Sequence, residues 1–151
     1  PPYYYCDAPQ SAVLEHYRKV AEACPLPIYI YENPKYCGIS ISPDFGVTLK
    51  KEVPSIKGIK VSYGDGAMDD YVKYFPDDVS VFTGNADLFG LVPFGVSGMI
   101  NPPTSSVPEL TVALFEALDA KDYAAAAEAQ VAQEEAMSLN LATARATSMA
   151  R

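Results

Sequence analysis

The sequence predicts an α/β fold on a parallel sheet, about half of a (β/α)8, TIM-barrel-type architecture, followed by helices. Three observations predict it. Short runs rich in β-branched and aromatic residues alternate with stretches of helical periodicity from Ile28 to Leu118, and such alternation builds parallel sheets. Four strand-helix units make half of an eightfold barrel. No Gly-x-Gly-x-x-Gly turn follows any strand-like run, which removes the usual reason for the alternative, a small doubly wound sheet.

The elements follow in order. Ser11 to Ala23 reads as a helix with Val13, Leu14, Tyr17, Val20 and Ala21 on one face, stopped by Pro25-Leu26-Pro27. Ile28 to Tyr31 is a strand. Ser42 is an N-cap with Pro43 at the first helical position. Ser55 to Val61 is the second strand, and Met68, Tyr71, Val72 and Phe75 recur at helical spacing. Val79 to Thr83 is the third strand, with a helix from about Ala86 to Val92. Val96 to Ile100 is the fourth. Ser106-Val107-Pro108-Glu109 has the pattern of a capping box opening a helix to Leu118. The Ala-, Glu- and Gln-rich stretch from Asp122 carries no strand signal and predicts two helices, one to about Met137 and the start of another. The expected organisation is residues 1–120 as half barrel and 121–151 as a helical extension that stops short.

Composition narrows the function. With 151 residues, 49% of them hydrophobic, the chain holds a real core. A net charge of −8 argues against nucleic acid, which needs clustered Lys and Arg. No apolar run is long enough for a bilayer, and Pro1-Pro2-Tyr3-Tyr4-Tyr5 has no basic n-region. The expectation is therefore a cytoplasmic protein with no membrane partner. Cys6, Cys24 and Cys37 are too few and too widely spaced for a disulfide framework or zinc site, and His16 is the only histidine. No metal is expected.

Strand parity picks out the reactive residues. If Tyr31 points into the barrel, Tyr29 does too, while Ile28 and Ile30 face the helices. If Lys60 points in, so do Gly58 and Ile56, while Ile59 and Val61 face outward. Tyr31 and Lys60 then sit at the C-terminal ends of adjacent parallel strands, where barrel active sites are built. A lysine amine attacks a ketone only when neutral, a form that a desolvated interior favours. The resulting iminium is an electron sink, and a phenol beside it can shuttle protons. The residues alone also allow a plainer reading, a solvated lysine at a strand end.

Pro2-Tyr3-Tyr4, Tyr31-Glu32-Asn33-Pro34, Gly58-Ile59-Lys60, Thr83-Gly84-Asn85-Ala86-Asp87 and Gly98-Met99-Ile100-Asn101 occur in this order. Together they resemble the dihydrodipicolinate synthase / N-acetylneuraminate lyase family, class I pyruvate-dependent aldolases, over roughly Pro1 to Met137. The resemblance implies that Lys60 is the Schiff-base residue and Tyr31 the acid/base. It implies that Tyr4, or Tyr5, joins a proton relay that often reaches a neighbouring subunit, hence a homo-oligomer. It places Ile100 against the pyruvate carboxylate and Gly84 and Asn85 along the polar part of the substrate pocket. No cofactor is implied, because Lys60 itself is the electron sink. The expected partners are a 2-oxo acid such as pyruvate and an aldehyde.

Departures from the family pattern are informative. Tyr36 stands where the synthases carry a carboxylate-gripping arginine, and a phenol cannot replace a guanidinium fork. Tyr-Glu-Asn-Pro resembles the Tyr-Ala-Asn-Pro of hydratase-aldolases, whereas Pro-Tyr-Tyr-Tyr resembles ketodeoxygluconate aldolases. The chain begins where the family's strand four ends. It is thus expected to be the C-terminal half, strands five to eight, lacking the carboxylate-binding Gly-Thr-Thr-Gly-type loop. Three functions stay open: an aldolase or lyase, a dehydratase or hydratase-aldolase using the same imine, and a non-catalytic barrel fragment or assembly module. In isolation the chain is expected to be inactive and to pair with its missing N-terminal half, with another chain or with itself.

Overall fold

The computed structural model of the protein describes residues 7–62, 68–85, 87–101 and 103–149. Strands β1 (Ile28–Glu32), β2 (Ile56–Val61), β3 (Ser80–Thr83) and β4 (Gly98–Met99) form one sheet in chain order, every neighbouring pair parallel. The helices are α1 (Gln10–Ala23), α2 (Pro34–Cys37), α3 (Pro43–Glu52), α4 (Met68–Tyr74), α5 (Leu88–Leu91), α6 (Pro103–Ser106), α7 (Pro108–Asp119) and α8 (Tyr123–Met149). The predicted α/β class with a parallel sheet is what forms. Among the described residues, no helix is long and apolar enough to cross a membrane.

Alternation along the strands buries one face. Ile30, Ile56, Ile59, Val61 and Val81 join Val13 and Tyr17 of α1, Phe45 and Leu49 of α3, Tyr71 of α4 and Phe75 just beyond it in one core. Each fully buried aliphatic side chain, such as Leu49 or Ile59, contributes about 1.5–3 kcal/mol. One polar group in that core is matched by a backbone carbonyl: the Tyr71 hydroxyl donates to Ile41 O at 2.9 Å. A second cluster joins Leu88 of α5, Leu114 and Leu118 of α7 and Ala126 of α8. There the Gln130 Oε1 of α8 accepts the Leu88 and Phe89 N–H groups at 3.2 and 3.3 Å, ending the first turn of α5 on a side chain.

The local start signals act as read at α3. Ser42 Oγ accepts the Phe45 N–H at 3.3 Å, with Pro43 in the first turn. Elsewhere the structure departs from expectation. Ile56, expected on the Lys60 face, lies in the helix-side core. The pairing runs Ile28 to Ile56 and then Tyr29 to Gly58, so Lys57 is an extra residue that resets the alternation. The strand expected over 96–100 is assigned only at Gly98–Met99, although Ser97 N–H to Val81 O (2.8 Å) and Ile100 N–H to Thr83 O (2.9 Å) carry the bonding one residue beyond each end.

The expected capping box does not form. Ser106 closes the separate turn α6, and Val107 precedes α7 with no side-chain cap. The helix after β3 is shorter than expected and passes into a 3-10 turn over Val92–Phe94, where Pro93 offers no N–H. The two helices expected after Asp122 are one, α8, because no Gly or Pro interrupts Tyr123 to Met149.

Candidate active site

Register across the sheet aligns Tyr31 with Lys60, Lys60 with Phe82, and Phe82 with Gly98. Residues paired in this way face the same side. It is the face turned away from α1, α3 and α4, since the alternate residues Ile30, Glu32, Ile59, Val61, Val81 and Thr83 are all buried. Tyr29 and Tyr31 are 55% and 47% exposed on it, and Ile100 is 51% exposed. Small residues make room for the aromatic rings. A Cβ on Gly58 would run into the Tyr29 ring, and one on Gly98 would come within 3.0 Å of the Phe82 ring.

The Lys60 Nζ lies 4.0 Å from the centre of the Tyr31 ring, well inside the range in which a cation is attracted to a π-face. Asn33 Nδ2 donates to the Tyr31 hydroxyl at 2.7 Å. The Lys60 amine first, then the Ser62 hydroxyl and the Asn33 amide, hold the Tyr31 phenol below its ordinary pKa, with partial burial opposing them. Tyr29, Tyr31 and Lys60, together with Ile100, Asn101, Thr104 and Ser105, line an open groove of about 530 Å³. A smaller pocket of about 260 Å³ runs between Met68, Val72, Leu91 and Phe94. It presents no amine or phenol and is not a candidate for this chemistry.

The other residues picked from sequence fall in different places. Gly84 and Asn85 follow β3 at the same end of the sheet, outside the groove lining. Gly84 N–H bonds Val61 O at 2.8 Å, a Cβ there would lie 2.6 Å from Ser62 Oγ, and Asn85 N–H bonds Thr83 Oγ1 at 2.9 Å. Tyr36 projects from α2, 61% exposed, with Lys35 Nζ 5.7 Å from its ring centre, and it does not line the groove. Tyr4 and Tyr5 lie outside the described residues. Lys57, the other lysine of the strand, is held at 2.7 Å by Asp78, which also takes Lys50 at 2.8 Å. Among the described residues, no three His, Cys, Asp or Glu side chains gather as metal ligands.

Glu32 and Asn33 were missed by the sequence reading. Glu32 is fully buried, and its Oε1 accepts Ser40 Oγ at 3.0 Å and Ile41 N–H at 3.2 Å. This clasp fixes the return of the 33–42 segment beneath the site. Strand alternation could have revealed it, because an inward Tyr31 forces Glu32 onto the helix side.

A parallel α/β sheet with a lysine and a tyrosine in contact at the C-terminal ends of adjacent strands defines a class, the parallel α/β proteins in which such strand ends are where barrel active sites are built. More particularly, the chain belongs to the Dihydrodipicolinate synthetase family, which matches residues 1–149. It is 36% identical over 129 residues to the 4-hydroxy-tetrahydrodipicolinate synthase of Exiguobacterium sibiricum, covering 84% of this chain and 44% of that protein. Against the enzyme of the same name from Methanopyrus kandleri it is 31% identical over 127 residues, covering 83% and 42%. Among solved structures, 2-keto 3-deoxygluconate aldolase from Picrophilus torridus superposes with a TM-score of 0.80 at 26% identity, covering 95% of this chain and 52% of that one. Dihydrodipicolinate synthase from Aquifex aeolicus gives 0.78 at 26% identity, covering 89% and 46%. The chain spans less than half the length of the two curated synthases.

Proposed function

We propose that this chain is the C-terminal half, strands five to eight, of a class I aldolase or lyase that forms or cleaves a carbon–carbon bond to pyruvate or a close 2-oxo acid. The observation that carries the reading is the 4.0 Å approach of Lys60 Nζ to the Tyr31 ring at the C-terminal ends of β1 and β2. The half-barrel assignment is supported by the four consecutive parallel strands, the motif order and the purely helical segment that follows β4.

In this reading the neutral Lys60 amine adds to the ketone carbon of the 2-oxo acid. Tyr31 moves the proton from nitrogen to the former carbonyl oxygen. Tyr31 then gives its own proton to that hydroxyl, the C–O bond breaks, water leaves, and the nitrogen lone pair closes the iminium, with Tyr31 left as the phenolate that can take the next proton. Loss of a proton from the carbon beside the iminium gives an enamine, whose carbon attacks the aldehyde. Hydrolysis releases the product and the lysine, and cleavage runs the same steps backwards. Tyr4, or Tyr5, passes protons to Tyr31 from a neighbouring subunit. The backbone at Ile100 faces the substrate carboxylate, and Gly84 and Asn85 line its polar side. Tyr36 offers no guanidinium fork for a second carboxylate, so an aldolase fits better than the synthase named for the relatives. A hydratase-aldolase using the same imine is favoured by one observation, the Tyr31-Glu32-Asn33-Pro34 segment, which resembles the Tyr-Ala-Asn-Pro of that class.

The test pairs the chain with a segment supplying strands one to four and follows pyruvate release. Turnover is expected only in the pair, because the carboxylate needs backbone donors from a loop outside strands five to eight and orientation supplies much of the rate. Tyr31→Phe in that pair should lower turnover by about 10²–10⁴-fold with the fold retained. A fully active, monodisperse chain on its own, or normal turnover in the Tyr31→Phe pair, would overturn the reading.

A further inference from the structure

We infer that Asn33 is a positioning residue for Tyr31: its side-chain amide holds the phenol oxygen as a hydrogen-bond acceptor, fixing the hydroxyl for proton transfer and favouring its ionised form. This deepens the function proposed above and rests on it only for the catalytic use of Tyr31.

Asn33 does not use its side chain as a helix cap. It occupies the N-cap of α2, with φ −153° and ψ 73°, and its carbonyl accepts the Tyr36 and Cys37 N–H groups at 3.1 and 3.2 Å. Asparagine is favoured at an N-cap because its side-chain oxygen accepts a backbone N–H of the first turn. Here no such bond forms. The side chain turns back instead and gives Nδ2 to the Tyr31 hydroxyl at 2.7 Å. The residue is only 6% exposed, and its Oδ1 is buried with no hydrogen-bond partner. Leaving a buried amide oxygen unmatched is costly, so one favourable local use of this side chain has been given up for the contact with the phenol.

The surroundings hold that arrangement. Cys37 Sγ donates to Asn33 O at 3.0 Å, and Gly38 closes α2 in the left-handed region at φ 67°. Pro34 fixes the next backbone step, and the Glu32 clasp onto Ser40 and Ile41 secures the far end of the segment. A donor locked in place against a phenol oxygen stabilises the phenolate more than the phenol. Among the described residues, the charged or titratable groups around Tyr31 include Lys60, above its ring, Tyr29, which lines the same groove, and Glu32, whose side chain lies on the opposite face of the strand. Asn33 and Lys60 therefore act in the same direction on Tyr31.

The experiment titrates Tyr31 in the full chain by NMR, with a 13C-labelled tyrosine placed at position 31 alone, in the parent, Asn33→Ala and Asn33→Asp. The midpoint is expected to rise in Asn33→Ala and further in Asn33→Asp, which puts a carboxylate where the amide donor was. A structural N-cap role would leave the midpoint unmoved, and an unchanged midpoint in a folded variant overturns the inference. A fall would mean that the amide accepts from the phenol, which overturns it equally. Since Asn33 is buried, a second measurement keeps Asn33 intact. Tyr31→Phe changes a half-exposed side chain, and the Asn33 Nδ2 proton that donates to the phenol should shift upfield and exchange faster with water. If neither Asn33 side-chain amide resonance moves there, the contact is refuted. None of these readouts uses turnover. If Tyr31→Phe in the completed barrel proves fully active while the Asn33 shifts appear, the catalytic reading fails and the positioning contact stands.

Discussion

Replacing Glu32 with alanine tests whether the carboxylate beneath the site holds the 33–42 segment in place. Glu32 is fully buried, and its Oε1 accepts from Ser40 Oγ and Ile41 N–H at 3.0 and 3.2 Å. Two bonds at about 1–1.5 kcal/mol each account for ~2–3 kcal/mol. Emptying a fully buried side-chain volume adds about 1–2 kcal/mol, so the total cost is about 3–5 kcal/mol. Glu32→Gln keeps an acceptor and most of the volume, and it should cost about 1–2 kcal/mol. The assay is urea denaturation of the full chain followed by circular dichroism, with a cycle that includes Ser40→Ala. Because Ser40 acts through Glu32, the double variant should be little worse than Glu32→Ala alone. A Glu32→Ala chain within about 0.5 kcal/mol of the parent, the range of an ordinary surface change, would refute the reasoning.

Two further perturbations probe the scaffold. The Lys50 ammonium, then that of Lys57, pulls the Asp78 carboxyl from 3.8 to about 2. A depressed folded-state pKa contributes stability that is full above the unfolded value and is lost as pH falls through the folded one. The stability gap between parent and Asp78→Asn should therefore be present at neutral pH, shrink below 3.8 and close near 2; a gap that does not change across that window contradicts the assignment. Lys121 sits in the left-handed region at φ 57° between α7 and α8, with its N–H on Leu118 O at 3.0 Å and the Asp122 N–H on Ala117 O at 2.9 Å. That is the helix-ending pattern usually given to glycine, so Lys121→Gly should stabilise the chain by about 0.5–1 kcal/mol in the same urea assay.

Much of the sheet was legible because hydrophobic alternation and helical periodicity are set by local geometry. Strand order and parallel pairing followed from the βα rhythm, and the meeting of Tyr31 with Lys60 followed from counting residues along two strands. Ile56 was misplaced because a single extra residue, Lys57, inverts parity without any mark in the sequence. The continuous α8 was split because an alanine-rich run gives a weak amphipathic signal, although the lack of Gly or Pro already pointed to continuity. Asn33 and Glu32 entered the sequence reading only as members of the Tyr-Glu-Asn-Pro segment, with no role of their own. Their roles depend on which partner each side chain reaches, Tyr31 in one case and Ser40 with Ile41 in the other. Propensity does not encode that choice.

The central claim is that Lys60, and not its neighbour Lys57, is the imine lysine. The direct measurement incubates the barrel completed with strands one to four with pyruvate and borohydride, then maps the reduced adduct by peptide mass spectrometry. Lys57 is tied to Asp78 at 2.7 Å, whereas Lys60 stands against the Tyr31 ring in the groove. The account predicts one pyruvate-derived adduct, on Lys60, that disappears in Lys60→Ala. An adduct on Lys57, or no adduct in a completed and folded barrel, would contradict it.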